Sequence, residues 1–156
     1  MANTAGIAVS FKAEVMLGAH QLGAVTIVSR TSLTSPTTDT VKAALYLASA
    51  TTNNTNTVYT VTGEVSGAGY SAGGVTVTNA TAPTTNSTSG VWTPSASIVY
   101  TTVTLSTAFD AVMLYNSTQG NRAIGVYTFG SQTVTAGTLT LTMPANTAGN
   151  ALIQLA

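Results

Sequence analysis

Apolar and polar residues alternate with a period of two along several stretches of this chain. Between positions 41 and 48 the odd positions are apolar, and Lys42, Ala44, Tyr46 and Ala48 lie between them. This alternation predicts a strand whose odd positions face a core, with Lys42 and Tyr46 on the opposite face. Further apolar runs predict strands at Val25–Val28, Val75–Thr78, Ile98–Leu105, Ala111–Tyr115, Ile124–Phe129, Leu139–Met143 and Leu152–Leu155.

Clusters of Gly, Pro, Asn and Ser separate these apolar runs. Short strands with such breaks between them are typical of antiparallel sandwiches, whereas parallel sheets alternate strands with long helices. We therefore predict an all-β fold, an antiparallel jelly-roll-like β-sandwich, in one domain that spans residues 1–156.

One segment near the N-terminus has the spacing of a helix instead. Phe11 and Val15 lie four residues apart, Ser10 is a candidate N-cap, and Gly18 follows where a helix would stop. The sequence therefore predicts one short helix over residues 10–18.

Charged residues are rare in this sequence. It has four basic and four acidic residues among 156, and its formal net charge is zero. A soluble monomer usually has charges on about a quarter to a third of its surface. We therefore expect a surface that is largely covered by copies of the chain or by other proteins. The lack of a basic stripe argues against a nucleic-acid partner.

The composition also indicates the cellular compartment in which the chain is made. The sequence contains no cysteine, and this excludes disulfides and thiolate metal sites. The first ten residues have no basic region of the kind that begins a secretory signal. The longest apolar run is far shorter than the roughly 18 residues of a membrane span. We therefore expect a chain that is made in the cytoplasm and has no membrane partner.

Candidate catalytic residues are sparse. His20 is the only histidine and follows the predicted helix, where an imidazole packs or caps more often than it catalyses. Of the scattered carboxylates, only Glu64 with Asp110 could form a glycosidase pair. We interpret Glu64 instead as an acceptor of backbone N–H bonds or as the ion-pair partner of Arg122 or Lys42. The expectation is no enzymatic activity, no metal, no cofactor and no small-molecule substrate.

Glycines are concentrated between Thr62 and Gly74. The pair Gly67 and Gly69 is not followed by the helix or the Lys-Ser/Thr pair that a phosphate-binding loop requires. Closely spaced glycines do permit positive φ values and close backbone approach. We predict an irregular path beside a strand rather than a ligand-binding loop.

Three polar segments predict loops, at residues 30–39, 50–57 and 80–90. The first and third are candidate contact surfaces, together with aromatic residues that are expected to be exposed. The candidate protein–protein contact residues are Tyr46, Tyr70, Trp92, Arg30, Pro36, Pro83 and Asn86. As an alternative, Trp92, Tyr100 and Tyr127 would form the aromatic platform of a carbohydrate-binding adhesin.

Two neighbouring strings are V-K-A-A-L-Y-L-A-S-A at Val41–Ala50 and Y-T-V-T-G-E-V-S-G-A-G-Y-S-A-G-G at Tyr59–Gly74. Both resemble sequences in a family of small structural proteins that tailed bacteriophages encode. The segment Ser10–Glu14, with Gly18 and His20 after it, is similar to the opening of those proteins as well.

The resemblance implies a component of the virion. The leading hypothesis is a capsid cement or decoration protein, which binds the major capsid protein and copies of itself through uncharged contacts. A tail, baseplate or fibre component is the alternative within the same class. In two respects the chain departs from the family, since the segment 24–38 is longer and Thr/Asn-rich loops replace more charged ones.

Overall fold

The computed structural model describes residues 3–8, 11, 15, 20, 22–23, 38–78, 80, 82–86 and 88–155. Its strands form two antiparallel sheets, which confirms the predicted all-β sandwich class. The strands are β1 (Gly6–Ile7), β2 (Val41–Leu47), β3 (Val75–Thr76), β4 (Thr84–Asn86), β5 (Ser89–Trp92), β6 (Ile98–Asn116), β7 (Arg122–Leu141) and β8 (Ile153–Leu155). The larger sheet has the order β1-β7-β6-β2-β3, and the smaller sheet has the order β4-β5-β8.

The strand predicted from the alternation at 41–48 is present as β2, but both of its faces are covered. It pairs with β6 on one side and with β3 on the other. Tyr46 is fully buried and Lys42 is half-buried. The prediction that Tyr46 is exposed is therefore wrong. The segment that follows β2 covers this face, since the Tyr46 hydroxyl donates to the Thr60 carbonyl at 2.5 Å.

β6 and β7 form one long antiparallel ribbon of 19 and 20 residues. The sequence predicted two separate strands in each, because polar residues interrupt the apolar pattern near 106–110 and 130–138. The ladder instead continues through these interruptions with several register shifts. A bulge inserts residues without ending the pairing, so the strands are longer than the apolar runs.

The ribbon bends so that both halves of β6 contact the same part of β2. Leu114 pairs with Ala43 in the ladder between β6 and β2. The Ala43 carbonyl also accepts a hydrogen bond from the hydroxyl of Tyr100, near the other end of β6, at 2.9 Å. The bend lies between them, in a stretch that contains several register shifts and Thr102, whose φ is 53°. Both halves of β6 contribute residues to the core, together with β2 and the smaller sheet.

The smaller sheet contains part of the segment that the sequence predicted as a loop at 80–90. β4 and β5 form a hairpin in which Asn86 lies opposite Ser89, and β5 also pairs with β8. The loop prediction is wrong for these residues, because threonine suits a strand as well as a polar loop. The strands predicted near the C-terminus and at Val75–Thr78 are present as β8 and as the shorter β3.

The loop predicted at 50–57 is confirmed. Its turn is held by the side chain of Asn53, whose Oδ1 accepts from the backbone N–H of Thr55 at 2.8 Å.

Several predictions for the N-terminal part lie outside the described residues. These are the strand at Val25–Val28 and the loop at 30–39, apart from Thr38 and Asp39. Within the predicted helix at 10–18, only Phe11 and Val15 are described, both with helical backbone, and Phe11 is fully buried. Among the described residues there is no helix with the length and hydrophobicity that a membrane crossing requires.

Candidate functional site

A buried carboxylate, Glu64, organises the glycine-rich segment. Its Oε1 accepts hydrogen bonds from the Tyr70 hydroxyl at 2.6 Å and from the Gly73 backbone N–H at 2.8 Å. Its Oε2 accepts from the Tyr59 hydroxyl at 2.6 Å. The interpretation of Glu64 as an acceptor of a backbone N–H is confirmed, whereas its tyrosine partners were not foreseen.

A cluster of five tyrosines surrounds this carboxylate. Its members are Tyr46, Tyr59, Tyr70, Tyr100 and Tyr115. Two ring pairs stack, Tyr59 on Tyr115 with centroids 4.7 Å apart and Tyr70 on Tyr100 with centroids 5.9 Å apart. Burial is the largest cause that raises the pKa of each of the five phenols, and the negative charge of Glu64 raises each pKa further. The hydroxyls therefore remain neutral hydrogen-bond donors at physiological pH.

Glu64 and Asp110, the two carboxylates considered for a glycosidase pair, are engaged by different partners. Glu64 is held by two phenols and a backbone N–H. Asp110 accepts from the Asn3 side-chain amide at 2.5 Å, and thereby ties the N-terminal segment to β6. Both carboxylates serve to fasten segments of the chain to the larger sheet.

The glycines of this segment are required by close backbone approach. A side chain at Gly67 would collide with the Thr104 carbonyl, and one at Gly69 with the Thr102 carbonyl. Gly69 also has a φ of +78°, which side-chain-bearing residues rarely adopt. An isolated bridge joins Ala68 to Thr104. The prediction of an irregular glycine path beside a strand is confirmed.

His20 belongs to a second polar cluster. Its Nδ1 lies 3.1 Å from the Asn116 amide nitrogen, which also donates to Asp39 Oδ2 at 2.6 Å. The ring packs edge-on against Phe11, with centroids 4.7 Å apart. Gln119 donates to the second oxygen of Asp39 at 3.1 Å. The cluster ties the turn after β6 to the segments that contain Asp39 and His20.

The part of the chain that the structure describes contains no candidate metal site. No group of three or more His, Asp or Glu side chains lies there in an arrangement that could hold a metal ion.

Two of the aromatic residues proposed as contacts from the sequence lie in the interior. Tyr46 and Trp92 are at most 2% exposed, so the prediction that they are exposed is wrong, because tyrosine and tryptophan supply the largest buried side chains of this small core. The adhesin platform is wrong for the same reason, since Tyr100 is also buried. Tyr70 is half-buried with its hydroxyl bound to Glu64, and its role as a contact residue stays a prediction.

Of the four remaining contact candidates, the structure describes two. Pro83 is exposed and Asn86 is half-buried, and both stay predictions. Arg30 and Pro36 lie outside the described residues.

Exposed charge is nearly absent from the described surface. Asp39 and Glu64 are buried, and Lys42 and Asp110 are half-buried. Among the charged residues that the structure describes, only Arg122 is exposed. No charged residue follows Arg122 in the sequence, so the C-terminal part of the ribbon and β8 carry none.

An apolar cleft of about 430 Å³ opens beside this uncharged part of the ribbon. Its walls include Tyr127, Phe129, Leu139, Leu141 and Met143. Of these residues, only Tyr127 was expected at the surface from the sequence, as a member of the aromatic platform. The sequence does contain a pattern that indicates this apolar face. Apolar and threonine residues alternate from position 138 to 143, and this alternation places the apolar side chains on one face.

No known protein family, no curated protein and no solved structure matches this chain significantly.

Proposed function

We propose that this chain is a structural protein of a bacteriophage particle. In this role it is a decoration or cement protein on the outside of the capsid, where it binds the major capsid protein and copies of itself. The observation that carries the proposal is the single exposed charged residue, Arg122, among those that the structure describes. A free monomer relies on surface charge to stay apart from its neighbours, whereas a surface covered in an assembly has no such need.

The resemblance to phage structural proteins supports the same assignment. The two strings that carry it, Val41–Ala50 and Tyr59–Gly74, include β2 and the glycine path with Glu64. β2 lies in the interior, whereas half of the residues of Tyr59–Gly74 are exposed. The shared pattern therefore includes part of the surface as well as the scaffold of the molecule.

The contacts that such a surface makes are apolar patches together with neutral hydrogen bonds. The cleft beside β7 supplies an apolar patch, and exposed Val58, Val61 and Val99 supply further apolar area. Threonine hydroxyls and the free edge of β7 supply donors and acceptors. Interfaces of this kind hold through complementarity rather than through ion pairs.

The observed burial weighs against the carbohydrate-binding alternative. A sugar platform needs aromatic faces in solvent, but Trp92 and Tyr100 are at most 2% exposed. The tail, baseplate or fibre alternative differs from the capsid assignment only in location.

Quantitative mass spectrometry of purified particles, separated into capsids and tails, tests the assignment. We expect the protein in the capsid fraction, in a copy number comparable to that of the major capsid protein. Recovery in the tail fraction in few copies would transfer the assignment to a tail component. Absence from particles, together with glycan binding by the isolated chain, would overturn the proposal.

A further inference from the structure

Over most of its length the outer edge of β7 is not paired with any segment that the structure describes. On that side β1 pairs with Gly125 and Val126, and Val58 forms an isolated bridge with Arg122. Beyond them, Thr138, Thr140 and Thr142 are exposed, while Leu139 and Leu141 are half-buried toward the apolar cleft. Backbone donors and acceptors along such an edge are ready to pair with another strand.

This edge lacks the usual protections against pairing. Soluble proteins commonly place lysine, other charges or proline on an exposed edge strand. Between Tyr127 and Met143 the chain has none of these, and the first proline is Pro144, after the strand has ended. Irregularities of the ladder reach into this region, because Ala136 has a φ of 46° and the register shifts between Tyr100 and Val103 of β6, opposite Leu139 and Gly137. From Leu139 to Leu141 the ladder is regular, and no strand that the structure describes covers the outer edge of these residues.

The sequence of this run is a palindrome. Residues 138–142 read T-L-T-L-T in both directions, with Thr140 at the centre. If two copies pair antiparallel about Thr140, every Thr meets a Thr and every Leu meets a Leu. Side chains of the two copies then alternate in phase, with leucines on one face and threonines on the other. A twofold interface requires this kind of self-complementarity.

We propose that residues 138–142 of β7 pair antiparallel with the same residues of a second copy, about a twofold axis at Thr140. The occupant is a second copy because the edge matches itself in sequence, and because no charge after Arg122 repels an identical surface. Pairing joins the two larger sheets and places the two apolar clefts side by side. The proposal concerns the protein alone and does not depend on its place in a particle.

Introducing a charge of either sign at Thr140, the centre of the palindrome, tests this geometry. In a Thr140→Lys dimer the two lysines face each other across the axis, and the same holds for the two glutamates of a Thr140→Glu dimer. Like charges directly opposite in a sheet are destabilising. By analytical ultracentrifugation at low salt, we expect each variant alone to dimerise about tenfold or more weakly than the natural chain. Mixing the two variants should restore dimers, now as heterodimers, because lysine then faces glutamate.

Thr51→Lys and Thr51→Glu are the matched controls, since Thr51 is exposed and lies outside both sheets. They should dimerise like the natural chain, alone and mixed. Three results would overturn the proposal. The natural chain could remain monomeric at high concentration, the Thr140 variants could dimerise as well as the controls, or the mixture could fail to recover dimers.

Hydrogen exchange of the natural chain gives a second measurement that needs no variant. Amides in the 137–142 stretch should become slower to exchange as protein concentration rises through the dimerisation range, while those of the 50–57 loop should not change. Dimers that form without added protection in 137–142 would place the interface on another face. Protection that appears only when a different protein is added would identify that protein as the occupant and would overturn self-pairing.

Discussion

At the scale of single residues, the interior of this protein is organised by one carboxylate and the groups that donate to it. Glu64 holds Tyr59, Tyr70 and Gly73 through its two oxygens. Tyr70 in turn accepts from the Leu45 N–H of β2 at 3.0 Å. The glycine path is thereby fixed to the central strand, with its polar atoms satisfied in a buried place.

Removal of the Tyr70 hydroxyl should be costly. A Tyr70→Phe substitution takes away a donor to Glu64 and an acceptor from Leu45, and leaves both groups short of a partner. We expect a loss of about 1–3 kcal/mol in the free energy of unfolding, measured by urea denaturation. The control is Tyr127→Phe, which removes one hydrogen bond to the Leu152 carbonyl and should cost less. Equal losses in the two variants would show that the hydrogen bonds to Glu64 and Leu45 stabilise the fold no more than the single bond of Tyr127 does.

The glycine path provides a second prediction at this scale. Valine at Gly67 or Gly69 would collide with the carbonyls of β6, and Gly69 also has a positive φ. Each variant should lose more than about 1 kcal/mol of stability. Gly130→Val is the control, because a Cβ there meets nothing within 4 Å. Stability that is unchanged in the Gly67 and Gly69 variants would mean that the close approach is not required.

At the scale of elements, the alternation of residues predicted where strands lie better than where they end. β2 and the glycine path lie where the sequence placed them. The pattern did not reveal that β6 and β7 are continuous, because bulges preserve backbone pairing while they interrupt side-chain alternation. It also placed Tyr46 outside, since alternation along one strand cannot show that a distant segment covers the second face. Trp92 lies in β5, where the apolar pattern predicted no strand.

The short strand β1 depends on one asparagine. Asn3 donates to the Leu47 carbonyl and to Asp110, and it accepts from the Thr52 N–H at 2.9 Å. In an Asn3→Ala variant we expect faster hydrogen exchange at the amides of β1 and of Thr52, with a smaller effect on β2. Asn150→Ala, at an exposed turn, should leave exchange in β1 unchanged. Protection of β1 that survives the loss of Asn3 would contradict this anchoring role.

At the scale of the whole molecule, the scarcity of charge makes stability nearly independent of pH over a wide range. All six tyrosines have a folded-state pKa raised above the ordinary value of 10.0, chiefly through burial. Above that pH the unfolded chain has lost protons that the folded chain keeps, so folding stability falls as pH rises. Below it the tyrosines are neutral in both states and their contribution is fully present.

The expected profile is flat between about pH 4 and 9, because the sequence has only four side-chain carboxyls and one histidine, and it declines above about pH 10 as the tyrosines of the unfolded chain lose their protons. Urea denaturation at a series of pH values measures it. The profile expected from tyrosine burial would be contradicted by stability that holds constant well above pH 10. A loss of several kcal/mol between pH 4 and 9 would contradict the flat profile and would reveal a strongly coupled ionic site.

The central claim is that this molecule assembles on a particle through uncharged contacts, and binding to capsids that lack the protein tests it most directly. Raising salt from about 0.1 to 1 M shortens the screening length from about 10 to 3 Å and weakens ionic attraction, but it leaves apolar and neutral hydrogen-bonded contacts in place. The account predicts that the protein binds such capsids and that binding persists at 1 M salt. Binding that disappears at high salt, or no binding to capsids at either salt concentration, would contradict it.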